Sequence, residues 1–189
     1  MLAIFKREFK SYFQNVIGWL FVAALLAVYG LYFYVYNLKN GYPYISYDLK
    51  GIGFIMMIAV PILTMRSLSD EKKTKTDQLM LTSPVSVGRI VAGKYFAMAA
   101  VYTIDIALFA LSPLVLSIYG KVALSEAYVS LFGYWLYGLS CIAVGLFISS
   151  ISESVIISAI LTFAALFLSY MMQSITGLIS SSGNLLTKV

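Results

Sequence analysis

From residue 16 to residue 36 the chain runs without one charged side chain, and the stretches 51–65, 127–150 and 155–172 do the same. A helix needs about 20 apolar residues to cross the hydrocarbon of a bilayer. Inside it, each backbone N–H and C=O must be satisfied within its own segment, which leaves helices as the solution for runs of this length. The spacing therefore predicts an all-α polytopic transmembrane bundle. Composition agrees: 61% of the residues are hydrophobic and 11% charged, where a soluble domain carries roughly 25% charged residues. At 189 residues the chain is expected to be a single membrane domain, 1–189, with room for about five or six spans and for no second soluble domain. There is no histidine and a single cysteine, Cys141, so disulfide frameworks, imidazole or thiolate metal sites and histidine-based catalysis are excluded. No metal and no catalytic residue is expected.

Charge sets the topology. Lys6, Arg7 and Lys10 precede the first span, and Arg66, Lys72, Lys73, Lys75, Arg89 and Lys94 crowd the one long polar interval. The net charge of +5 is explained by the positive-inside rule, and no nucleic-acid partner is expected. Both basic groups belong in the cytoplasm, so an even number of crossings separates them. The 51–65 segment is short for a span, but it must cross, either borrowing length from the 44–47 side or continuing as a helix beyond Arg66. The first span, 16–36, is too long for a signal-peptide core of about 7 to 15 residues and is expected to stay in the protein. Its end carries Tyr29, Tyr32, Phe33, Tyr34 and Tyr36, an aromatic belt pattern for the outer interface, and a polar external loop 37–50 follows. Further spans are placed at 95–119, 127–150 and 155–172, with a tight cytoplasmic turn at 151–154.

The ends of the chain complete this scheme. In 1–14 the residues Leu2, Phe5, Phe9 and Phe13 share one face and the basic residues lie on others, the pattern of an interfacial amphipathic helix. Residues 173–189 form a Ser- and Gly-rich external tail, of the kind that leads toward a sixth span in a complete bundle.

Three features carry candidate function. Residues 68–80 read as a short charged helix with Asp70 and Glu71 early and basic residues later, an order the helix dipole favours; Thr82, Ser83 and Pro84 end it. Because this segment joins two spans, it makes a projection that can pass a push from a soluble partner into the bilayer; the alternative is a solvated loop whose charges only enforce topology. Asp105 is the one acid well inside a span, where a charge costs about 2.5–3.5 kcal/mol on insertion scales. It belongs either to a translocation path or interhelical lock, or to a local hydrogen bond near the span boundary. Gly133, Gly138 and Gly145, with Ser130, Ser140 and Ser149, give the fourth span small residues for close helix packing, within the subunit or across a dimer. No phosphate-binding G-x-x-x-x-G-K-[ST] string is present, so any ATP is bound by another chain.

The polar interval also carries a resemblance. Arg66, Glu71, Lys72, Lys73, Thr76, Leu79, Leu81, Thr82, Pro84, Val85, Ser86, Gly93 and Lys94 resemble the corresponding loop of the ABC-2 type permeases, the membrane subunits of ATP-binding-cassette exporters, and especially their gliding-motility-type subgroup. Two positions depart from that pattern: Lys75 stands where the family usually has Gly, and Gln78 where Glu is common. The resemblance implies that 66–94 is a cytosolic coupling loop whose helix sits in a groove of an ATPase subunit, with Arg66, Asp70, Glu71, Lys72, Thr76, Leu79 and Pro84 as the contact residues. It implies a permease subunit of an exporter in the cell inner membrane with its N-terminus cytoplasmic. The partners it implies are an ATP-binding-cassette ATPase and a second permease half, as homo- or heterodimer, amid membrane lipid. The chain itself is expected to be no enzyme and to hold no cofactor. The other function class compatible with the sequence is a non-transporting membrane anchor or assembly factor that recruits a soluble ATPase.

Overall fold

The computed structural model describes residues 2–42, 44–74, 86–119 and 123–186. Among them every regular element is helical: α1 (Leu2–Gln14), α2 (Val16–Phe33) with a π-helical end (Tyr34–Lys39), α3 (Ile45–Thr64), α4 (Ser69–Lys73), α5 (Val87–Phe109), α6 (Ser112–Tyr119), α7 (Leu124–Ile151) and α8 (Val155–Leu186). Five segments are long and apolar enough to cross a membrane, 16–39, 45–73, 87–118, 124–151 and 155–172.

Helix α3 is the axis of the bundle. It packs against α2, α7 and α8, and half of its most apolar window is buried inside the protein, against 17% for the fifth span. Its sequence explains the role: Ile45, Leu49, Ile52, Met56, Val60 and Leu63 recur at three- and four-residue intervals and all are buried, one broad apolar stripe. The second span thus takes its missing length from the side of residue 45, and the external loop expected over 37–50 contracts to 40–44. Gly41 lies in that turn at φ 69°, a left-handed conformation that glycine adopts without steric cost.

That same shift places an acid inside the bundle that the sequence scheme left in a loop. Asp48 is fully buried on the first turn of α3, and the side-chain amide of Asn37 donates to it from the π-helical end of α2. Tyr29, expected in the outer aromatic belt, is a core residue instead. It stacks on Phe109 with ring centroids 4.1 Å apart and donates its hydroxyl to Ser112.

The third span is one helix from Val87, starting ahead of the expected residue 95. The helix breaks at Ala110 and Leu111 before resuming as α6. Pro113 has no N–H to offer the Phe109 carbonyl one turn back. The Ser112 hydroxyl takes up that carbonyl at 2.7 Å, which is how a broken helix stays satisfied in lipid. Residues 173–186, expected as a tail, continue α8 as helix.

Candidate functional site

At one end of the bundle meet α1, the end of α3, the start of α5 and the end of α7. Helix α1 docks there through a ladder of rings: Phe5 on Phe9 (5.9 Å), Phe9 on Phe13 (5.0 Å) and Phe13 on Trp19 of α2 (5.4 Å). Gly93 allows α5 to approach, since a β-carbon there would lie 3.0 Å from Cγ2 of Ile4. The Tyr12 hydroxyl donates toward the Leu63 carbonyl at 3.5 Å; burial pushes its pKa far up, so it remains a neutral donor.

The centre of this junction is Lys94. Its side chain is 2% exposed, and its ammonium donates to Glu71 Oε1 at 2.6 Å and to the Ser67 carbonyl at 3.0 Å. Glu8 Oε1 lies 3.5 Å away, itself bonded by Arg7 at 2.8 Å, a contact that raises the pKa of the guanidinium. A buried ammonium demands this many acceptors, because an ion removed from water without them costs several kcal/mol. One cation therefore ties α1, the polar segment after α3 and the third span together.

A second clamp comes from α7. The Ser149 hydroxyl accepts the backbone N–H groups of Leu68 and Ser69, each at 3.2 Å, and donates toward the Met65 carbonyl at 3.5 Å. The first N–H groups of a helix have no partner within it, and Leu68 offers no side-chain cap. Ser149 supplies that cap from a different span. Gly145, one turn earlier, lets α7 close on α3, since a β-carbon there would meet Oγ1 of Thr64 at 2.5 Å.

The sequence-derived contact residues divide around this junction. Glu71 faces inward onto Lys94; Arg66 and Asp70 are exposed, and Lys72 is half-buried. Asp70 and Glu71 occupy the first turn of α4 and Lys72 and Lys73 its last, in the order the dipole favours. Thr76, Leu79 and Pro84 lie outside the described residues. A polar cleft of about 560 Å³ opens beside α4, with Arg7, Glu8, Tyr12, Arg66, Asp70 and Glu71 in its walls. Sequence reasoning did not single out Glu8 or the capping role of Ser149, and it placed Lys94 in the string without a role of its own.

Asp105 is fully buried, and neither carboxylate oxygen has a hydrogen-bond partner among the described residues. No local hydrogen bond to it is present there. It lies one turn along α5 from Tyr102, whose hydroxyl donates to the Tyr134 carbonyl at 2.8 Å across the bare backbone of Gly138. Among the described residues no group of three or more Cys, Asp and Glu gathers as a metal would require.

Five apolar spans, one of them the axis of the bundle, and an ion-paired polar junction at one end define a polytopic helical membrane protein. The family model described as "ABC-2 family transporter protein" matches residues 32–188, and the chain belongs to that family. Its general role is that of a transporter permease, a membrane component that works with an ATPase partner and is generally not itself catalytic. No curated protein and no solved structure matches the chain.

Proposed function

We propose that the chain is the membrane half of an ABC-2 exporter of the gliding-motility type, driven by separate ATPase subunits that bind the 66–94 segment. In this reading the Lys94 end of the bundle faces the cytoplasm, the 40–44 turn faces outward in the cell inner membrane, and a second permease half completes the path. The observation that carries it is the double clamp on the segment after α3. Lys94 fixes it to the third span and to α1, and Ser149 fixes it to the fourth. A force applied to the exposed Arg66 and Asp70 face is then delivered to two spans and to α1 through short polar contacts rather than dissipated in a flexible loop. ATP binds the partner, and this chain holds no cofactor. Thr76, Leu79 and Pro84 complete the contact surface, and Asp105 serves as the polar group of the membrane path.

Copurification from mild detergent followed by identification of the associated subunits tests the reading. An ATP-binding-cassette ATPase is expected with the wild-type chain and is expected to be lost, or uncoupled from transport, in Glu71→Lys and Leu79→Pro, with the permease still in the membrane. Recovery of the ATPase with both variants at normal activity contradicts the coupling assignment. An ATPase that copurifies with the wild type while no substrate crosses the membrane favours an anchor.

A further inference from the structure

The glycines of the spans fall into two sets. At Gly51, Gly138 and Gly145 a β-carbon would collide with a side chain of a neighbouring helix, so the missing side chain lets helices close up. At Gly30, Gly88, Gly53 and Gly133 a β-carbon would meet none of the described residues, and the last two lie together. Both of these line one groove of about 470 Å³ among α3, α7 and α8, at the end of the bundle away from Lys94.

The chemistry of the groove is amphipathic. Ser46, Ser130, Tyr137 and Tyr170 bring polar groups to its walls alongside Leu49. The exposed Lys50 stands at its mouth, its ammonium 5.8 Å from the centroid of the Tyr47 ring. Among the described residues no carboxylate pairs with Lys50: Asp48 is buried against Asn37, and Glu126 lines a separate crevice beyond Ser46 and Ser130.

We propose that this groove is a binding site for an anionic membrane phospholipid. The phosphate sits at Lys50, and an acyl chain lies in the space left by Gly53 and Gly133. A lipid with a choline headgroup carries its own cation and gains less from Lys50, so the site discriminates by headgroup charge. The site depends on the membrane placement of the helices and not on the ATPase coupling described above.

Native mass spectrometry of the full chain, with any copurifying subunit retained, tests this in detergent doped with equal phosphatidylglycerol and phosphatidylcholine. The wild type is expected to retain phosphatidylglycerol several-fold over phosphatidylcholine. Lys50→Gln should abolish that preference, and Gly133→Leu, whose side chain enters open space, should lower the occupancy of both lipids at an unchanged melting temperature. Equal occupancy in the wild type, or an undiminished preference in Lys50→Gln, overturns the proposal; because Lys50 is exposed, this arm stands even if the leucine variant fails to fold. Gly133→Cys in a Cys141→Ser background adds a check: a disulfide between two copies would put a second subunit in the groove and likewise overturn it.

Discussion

Lys94 is an enclosed charge on the third span whose acceptors come from two other segments, α1 and the stretch after α3. Replacing it with methionine keeps the apolar stem and removes the cation between Glu71 and Glu8, with Arg7 still on Glu8. Breaking a buried pair by removing one partner costs roughly 3–5 kcal/mol, and the partial exposure of both glutamates puts Lys94→Met at about 3 kcal/mol, the low end of that range. A thermal melt in detergent should show it as a clear drop, and a wild-type melting temperature would remove the cluster from the account. Asp105 is the opposite case, since a buried acid with no partner among the described residues is a burden on the fold. Asp105→Leu is therefore expected to raise the melting temperature while reducing transport; unchanged export in both Asp105→Leu and Asp105→Asn would strip the residue of its proposed role. The two residues were unequally visible in the sequence. An aspartate in an apolar run declares itself, whereas a lysine at the start of a span reads as a topology signal until Glu8 and Glu71 are brought beside it by folding. Asp48 escaped notice for a related reason: the aromatic and polar residues of 44–50 look like a loop, and only their packing against α2 makes them the first turns of a helix.

At the scale of elements, the short helix α4 is held by its neighbours rather than by its own sequence. A helix of five residues is far below the length at which isolated helices persist in water, so its cap from Ser149 matters. Ser149→Val keeps the size and removes the acceptor for two N–H groups, which should cost about 1–3 kcal/mol and speed amide exchange at Leu68 and Ser69; unchanged exchange there would show that the cap is not needed. Glycine substitutions separate packing from open space in the same way. Gly145→Leu forces a side chain into Thr64 and is expected to destabilise by roughly 1–3 kcal/mol, while Gly133→Ala should stay within about 0.5 kcal/mol; similar melting temperatures for the two would contradict the packing described for α7. The stripe of small residues in the fourth span was legible as a packing signal, but one sequence could not tell Gly138 and Gly145, which pack on Tyr102 and Thr64, from Gly133, where a β-carbon would meet none of the described residues. The break before Pro113 has a local cause in the chain, because proline removes a specific donor. The continuation of α8 through residue 186 was not, since Ser and Gly have low helix propensity and the tertiary setting overrides it.

For the whole molecule, the apolar runs gave the number of spans directly, because the cost of burying backbone and charge in lipid leaves few alternatives. The side on which each loop lies follows from the basic residues alone, and it can be checked by membrane-impermeant thiol labelling of intact cells after Cys141 is replaced. Lys73→Cys should be protected and Asn40→Cys should react; the reverse pattern would invert the bundle. Function was legible only through the string from Arg66 to Lys94, whose spacing resembles the ABC-2 loop, while the contacts that hold residues 67–71 are long-range and invisible in sequence. In the proposed coupling, this segment passes ATPase motion into the spans through the Lys94 and Ser149 clamps. ATP hydrolysis and substrate export by the purified permease–ATPase complex in proteoliposomes, compared between wild type and Glu71→Gln, test this. The variant is expected to keep its ATPase bound and hydrolysing while export falls. Export that stays in proportion to hydrolysis would contradict it.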